Sequence, residues 1–185
     1  KKSKLIKNIF VSSDDISIMN LSKKNNIEVI SRPKKLCKDN SSSESALVHS
    51  LNIIKKKYKI IPDLVVFLQA TSPLRRNNDI DKAIKIFINE KLDSLFSVTK
   101  LNDLCLWQKK NKKWKSVNFD FSKRKPRQFM KQNYIENGSI YIFKPKILFE
   151  ENNRLGGKMG VYEMDFWQSW EIDTIEEIDL IEFYM

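Results

Sequence analysis

Three short segments of this chain combine side chains able to bind or orient a ligand. The first is Phe67-Leu68-Gln69-Ala70-Thr71-Ser72-Pro73-Leu74-Arg75, an apolar run that ends in a turn. The Gln69 amide can pair with a donor and an acceptor on a base edge at once. Arg75 reaches an anion or closes a structural ion pair. The second is Asn137-Gly138-Ser139, where Gly138 permits close backbone approach and Asn137 offers both donor and acceptor. Upstream of it, Arg127-Gln128 can hold a substrate carboxylate through a bidentate contact. The third is Trp170-Glu171-Ile172-Asp173-Thr174. Residues two apart in an extended segment point the same way, so Glu171 and Asp173 present paired carboxylates. Such a pair suits Mg²⁺, which takes one or two carboxylates plus phosphate oxygens and water. Each segment also has a plain alternative: a tight Ser-Pro turn, a turn beside solvated charge, and a helix capped by Asp173.

Other chemistries have little to work with. His49 is the single histidine, set in a predicted helix with apolar neighbours, and reads as structural. With no second histidine and no suitable cysteine partner, Ser-His-Asp or Cys-His catalysis is not expected. Cys37 and Cys105 form no CxxC pair and read as reduced thiols. The net charge of +11 is carried mostly by Lys, 28 of the 34 basic residues, scattered along the chain. Scattered Lys reads as solvated surface rather than as a nucleic-acid footprint. The longest unbroken apolar run, Leu64 to Leu68, is far too short to span a bilayer. With no signal-peptide core at the N-terminus, a cytoplasmic enzyme with neither nucleic acid nor membrane as partner is expected.

The elements that must position these segments follow an α/β rhythm. Strands are predicted at Ile9 to Ser13, Ile27 to Ser31, Asp63 to Gln69 and Asp93 to Thr99. Helices are predicted between them at Ile16 to Asn25, about Glu44 to Lys57 and Ile80 to Asn89. That alternation argues a parallel sheet flanked by helices, with Asp63 to Gln69 covered on both faces. Ligands in such sheets sit beyond the carboxyl ends of strands. The basic, aromatic stretch 102–132 breaks the rhythm and reads as an inserted hairpin arm for dimer contact, with strands near Leu104 to Lys109 and Trp114 to Val117. Further strands are predicted at Ser139 to Phe143 and Val161 to Met164, and a last helix at Ile175 to Phe183, begun by Asp173-Thr174. The chain is read as one domain over 1–185.

Taken together, the segments resemble the acylneuraminate cytidylyltransferase (CMP-sialic acid synthetase) family over almost the whole chain. The family's LQPTSPLR segment is matched by Leu68 to Arg75, with Ala70 for Pro, and its R-P-x-x-L-A-x-D segment by Arg32 to Asp39, with Cys37 for Ala. Its R-Q and N-G-A-I-Y segments are matched by Arg127-Gln128 and Asn137 to Tyr141, and its I-D-I-D-T by Trp170 to Thr174. The resemblance implies a mixed α/β, Rossmann-like three-layer fold of the nucleotide-diphospho-sugar transferase type, a homodimer and dependence on Mg²⁺. It implies that CTP and a nine-carbon 2-keto sugar acid of neuraminic, legionaminic or pseudaminic type give a CMP-sugar and pyrophosphate. Carried over by motif, Arg32 and Ser43 contact the nucleotide. Gln69, Arg127, Gln128, Asn137 and Tyr141 line the sugar site, with Arg127 on the carboxylate, and Asp173 holds the metal, helped by Glu171. The family's Gly-rich phosphate loop has no counterpart before Gly138, so the chain is read as truncated at its N-terminus. The competing readings are an eight-carbon (Kdo-type) cytidylyltransferase, an inactive remnant of the same fold and, last, a basic nucleic-acid-binding module.

Overall fold

A computed structural model describes residues 3–38, 40–101 and 105–185, and Arg127 by its backbone alone. The chain opens with β1 (Phe10–Ser13), α1 (Ile16–Lys24) and β2 (Glu28–Ser31), in which β1 and β2 pair in parallel. Asp15 starts α1 by accepting from Ile18 N at 2.8 Å, as an acidic N-cap does. Next comes α2 (Ser43–Ile53), which passes into a π-helical turn, Ile54–Tyr58, closed by Lys59 in the left-handed region. The predicted helix to Lys57 is therefore right in extent, but its last turn is wider than an α-helix.

The main sheet contains β3 (Val65–Phe67), β4 (Ser94–Leu101), β7 (Asn133–Phe143) and β8 (Met159–Met164), in the order β3-β7-β4-β8. The expected mixed sheet with parallel pairing in it is what forms. β4 and β8 are parallel, but β7 lies between β3 and β4 and runs antiparallel to both. β3 is an edge strand, but it is covered on both faces as expected, with Val66 in one core layer and Val65 and Phe67 in the other; among the described residues β1 and β2 share no ladder with it. The sheet is mixed, and α3 (Asp79–Asn89) and α4 (Pro145–Glu151) cover it together with α2.

Side-chain alternation sorts the core into two layers. Ile140 and Ile142 of β7 face Ala83, Ile84 and Phe87 of α3, together with Leu95. Phe143, one position out of phase, packs with Leu51 of α2 and Leu148 of α4, joined by Val65 and Phe67. The strongly amphipathic spacing of Ile80, Ala83, Ile84 and Phe87 explains why α3 forms here. The arm is a two-stranded hairpin, β5 (Trp107–Lys110) and β6 (Lys113–Ser116), whose tip residues Asn111 and Lys112 both have positive φ. Its predicted start at Asn102 to Leu104 lies outside the described residues. The last helix, α5 (Glu176–Tyr184), begins later than expected, with Ile175 at its N-cap.

Candidate active site

The site is built where the turn after β3 meets an irregularity in β7. Pairing between β4 and β7 shifts register between Phe96 and Val98, which releases residues 137–140 from the regular ladder. Side chains replace the missing ladder bonds. Ser97 Oγ donates to Asn137 Oδ1 at 2.5 Å and accepts from Ile140 N at 2.8 Å. Asn137 Nδ2 donates to Thr99 Oγ1 at 3.0 Å, and Ser139 N donates back to Asn137 Oδ1 at 3.3 Å. All four polar side chains in this set are buried. Buried polar groups of this kind must be paired, and this network pairs them.

Gly138 sits in the irregularity with φ +64°, and three side chains close over it. A Cβ there would meet Glu171 Oε1, Gln69 Oε1 at 2.8 Å and Ser72 Oγ at 3.0 Å. The position needs glycine on two counts, for its left-handed backbone and for space. Ser72, fully buried, donates to Glu171 Oε1 at 2.9 Å, while Ile172 N donates to Thr71 O at 2.8 Å. Those bonds clamp the Glu171-Ile172-Asp173 segment onto the turn after β3.

Arg75 fixes the same turn from below. Its Nη1 donates to Ser72 O, to Ser139 O at 3.1 Å and to Ser139 Oγ at 3.0 Å. Burial lowers its pKa, partly offset by the negative charge of Asp79. Of the two roles open to Arg75, anion contact or ion pair, neither describes these bonds: it ties the turn to β7 through oxygen acceptors. Asp79 anchors the far end of the turn, accepting from Arg76 N at 2.6 Å, Tyr162 OH at 2.9 Å and Gln168 Nε2 at 2.7 Å. Burial, and then the Asp79 carboxylate, push the Tyr162 phenol well above its usual value.

The helix-cap alternative for Asp173 is not what forms. Glu177 reaches back instead, and its Oε2 accepts from both Asp173 N and Thr174 N at 2.7 Å. Those two backbone donors hold the Glu177 carboxyl below its ordinary value. The Asp173 side chain is left exposed, two residues from Glu171. Among the described residues no group of three or more His, Cys, Asp or Glu gathers to hold a metal. Two carboxylates alone still fit Mg²⁺, which fills its remaining positions with phosphate oxygens and water.

The other expected residues divide. Tyr141 lies on the opposite face of β7 from Ile140 and Ile142, beside Phe67, with ring centroids 5.8 Å apart. Its hydroxyl donates to Glu136, and burial first, then that carboxylate, raise its pKa to about 12. Asn137 is within the cluster, but its amide is turned inward to Ser97 and Thr99 rather than outward. Arg32 stands at the end of β2, where Nη2 donates to Ser12 O at 2.5 Å and Nε to Ser12 Oγ at 3.3 Å. Ser43 is the first residue of α2, and its hydroxyl is spared from capping because Ser42 Oγ accepts from Ser45 N at 3.2 Å. Gln128 is exposed in a short 3-10 turn, Arg127–Phe129, and no hydrogen bond joins it to the Gly138 cluster among the described residues. The Arg127 side chain lies outside the described residues.

Arg154 was not among the expected residues. It follows α4, pairs with Glu44 of α2 at 2.5 Å and lies 4.3 Å from the Tyr141 ring centroid. A signal for it did exist. In a chain with 28 Lys, each of the six Arg stands out as a planar, multi-donor group that Lys does not provide.

The turn-and-carboxylate cluster thus lies on a mixed α/β sheet with helices on both faces. The fold superposes on a CMP:2-keto-3-deoxy-manno-octonic acid synthetase complexed with CTP, with TM-score 0.66 and 11% identity over 96% of this chain and 80% of that one. The chain belongs to the cytidylyltransferase family, whose pattern it matches over residues 1–183. It is 29% identical to the post-translational flagellin modification protein B of Campylobacter coli, over 99% of this chain and 79% of that protein. It is also 29% identical to the N-acylneuraminate cytidylyltransferase of Oncorhynchus mykiss, over 93% of this chain but only 39% of that protein.

Proposed function

We propose that this chain transfers CMP from CTP to the anomeric hydroxyl of a nine-carbon 2-keto sugar acid, releasing pyrophosphate. The observation that carries the reading is the convergence of Gln69, Ser72 and Glu171 on Gly138, with the Asp173 carboxylate free beside them. In this reading the Gln69 amide orients the sugar, and Tyr141 with Phe67 forms an aromatic wall. Asn137 acts as a positioning residue, because its inward bonds set the shape of the segment that carries Gly138. Arg127 and Gln128 receive the sugar carboxylate, and Arg32 and Ser43 receive the nucleotide. Glu171 and Asp173 hold Mg²⁺, which when bound neutralises phosphate charge and orients the triphosphate. The hydroxyl oxygen attacks the α-phosphorus and loses its proton to water, the bond from that phosphorus to the bridging oxygen breaks, and pyrophosphate leaves, with positioning and electrostatics supplying most of the acceleration.

The exposed aromatic residues of the arm favour a homodimer. Trp107, Trp114 and Phe121 are 47%, 64% and 62% exposed, which is unusual for side chains of that size. No helix among the described residues is long and apolar enough to cross a membrane. The test is pyrophosphate release from CTP and N-acetylneuraminate with Mg²⁺. Activity that disappears in Asp173→Ala is the expected result. Full activity in that variant removes the metal assignment, and no release with any 2-keto sugar acid overturns the transfer reading.

A further inference from the structure

Arg154 ties the start of α2 to the Tyr141 face of β7, beside the core layer that α2 and β7 already share. Its Nη1 pairs with Glu44 at 2.5 Å, and both side chains are largely buried, 18% and 16% exposed. Glu44 follows Ser43 at the start of α2, on the side assigned to the nucleotide. The guanidinium itself lies over Tyr141, 4.3 Å from the ring centroid, and 5.8 Å from that of Phe67. Both rings belong to the wall assigned to the sugar. A cation over aromatic faces is attracted by the ring quadrupole, most strongly where water is excluded.

One atom of this group is left over. Arg154 Nε is buried without a hydrogen-bond partner, a condition shared only by His49 Nδ1 among the buried side-chain atoms of the described residues. An ionic donor out of water and without an acceptor is costly, so it is a place where a ligand oxygen is favoured. The ion pair holds the group in one orientation, and the aromatic faces prevent it from swinging out.

We propose that Arg154 is a specificity-determining residue of this site, offering its Nε–H beside Tyr141 to an acceptor oxygen on the sugar acid. The proposal rests on the transfer reading above for the identity of its ligand. Lys cannot substitute, because an ammonium has neither the planar face that stacks on Tyr141 nor a donor at the Nε position. Nucleotide binding does not depend on this contact, since the Nη1 edge is already committed to Glu44.

The experiment compares the full chain with Arg154→Lys and with the paired variant Arg154→Met/Glu44→Gln, which removes the donor without leaving Glu44 as a buried unpaired charge. The N-acetylneuraminate Kd is measured by calorimetry, KM values for it and for CTP by pyrophosphate release, and folding by circular dichroism. The paired variant is expected to weaken N-acetylneuraminate at least about tenfold, roughly 1.4 kcal/mol, with CTP KM within about threefold. Arg154→Lys is expected to behave like the paired variant. Unchanged sugar affinity, an equal rise in both KM values, or full rescue by Lys overturns the proposal, as does a wild-type chain that binds no N-acetylneuraminate. A wild-type chain that binds the sugar but releases no pyrophosphate sinks the transfer reading alone, and the Kd values still decide the role of Arg154.

Discussion

Around β7 the candidate residues are fixed by buried hydrogen bonds, whereas on β1 and β2 they depend on a single strand pair. Asn137, Ser97, Thr99 and Ser139 form a closed network, and Gly138, Gln69, Ser72 and Glu171 are packed onto it. The Arg32 guanidinium, by contrast, is bonded to Ser12, and its backbone N–H to Ser13 O, on a two-stranded sheet with no ladder to the rest among the described residues. The difference teaches that the two groups of candidate residues are held in different ways. The Gly138 cluster is closed by buried hydrogen bonds of its own, while the candidate residues of β2 and α2 sit at the ends of their elements.

That contrast can be broken most directly at Gly138. Gly138→Ala places a methyl against Glu171 and Gln69 and adds backbone strain of about 1–2 kcal/mol at its positive φ. We expect pyrophosphate release to fall by about a hundredfold or more, because a misplacement of about 1 Å is enough for that loss. Wild-type rates would show that the cluster is not the site.

The buried network comes next. Asn137→Ala leaves Ser97, Thr99 and Ser139 N without their partner. The expected loss is about 2–3 kcal/mol of stability, which lowers Tm by roughly 5–10 °C in a chain of this size. Thermal unfolding measures it, and a change under about 0.5 kcal/mol would mean that the network is not structural.

On the nucleotide side the same kind of change should separate binding from stability. Arg32→Lys is expected to raise the CTP KM about tenfold, roughly 1.4 kcal/mol, while leaving the melting temperature within about 2 °C. A large fall in melting temperature would show that β1 and β2 are as tightly built as the sheet around β7.

The smallest expected effect is one of pH. Burial and the Glu136 carboxylate raise the Tyr141 phenol from its ordinary 10.0 to about 12. Since the folded chain keeps this proton longer than the unfolded one, the stabilisation is fully present below pH 10 and is lost as the pH rises towards about 12. Urea unfolding of wild type and Tyr141→Phe across that window should converge as the pH rises. Parallel curves would remove the assigned cause.

Much of this was legible in the sequence, and the rest has physical reasons. Element positions followed from periodicity and capping residues, and α3 was found within one residue because its apolar stripe is so regular. The antiparallel placement of β7 was not legible, because strand order depends on contacts distant in sequence. β3 read from its apolar run as covered on both faces, and it is, but its place at the sheet edge gave no signal of its own. The motif Asn137-Gly138 was visible, but its inward network was not, since Ser97 and Thr99 give no signal in the sequence. Glu177 as the group that holds Asp173 and Thr174 was equally hidden, because either end of such a segment can supply the cap.

The register step in β7 has one more consequence. Residues five apart in a regular strand point to opposite faces, yet the Tyr141 hydroxyl reaches Glu136. The step opposite Ser97 changes the parity, so the two ends of β7 are in different reading frames. Residues 139–143 are in the frame of the core, and residues 133–136 in the frame of the arm. Ile140 and Ile142 therefore keep their place in the core while residues 133–136 pair with β4 in the other frame, and Asn137-Gly138 is the joint between the two.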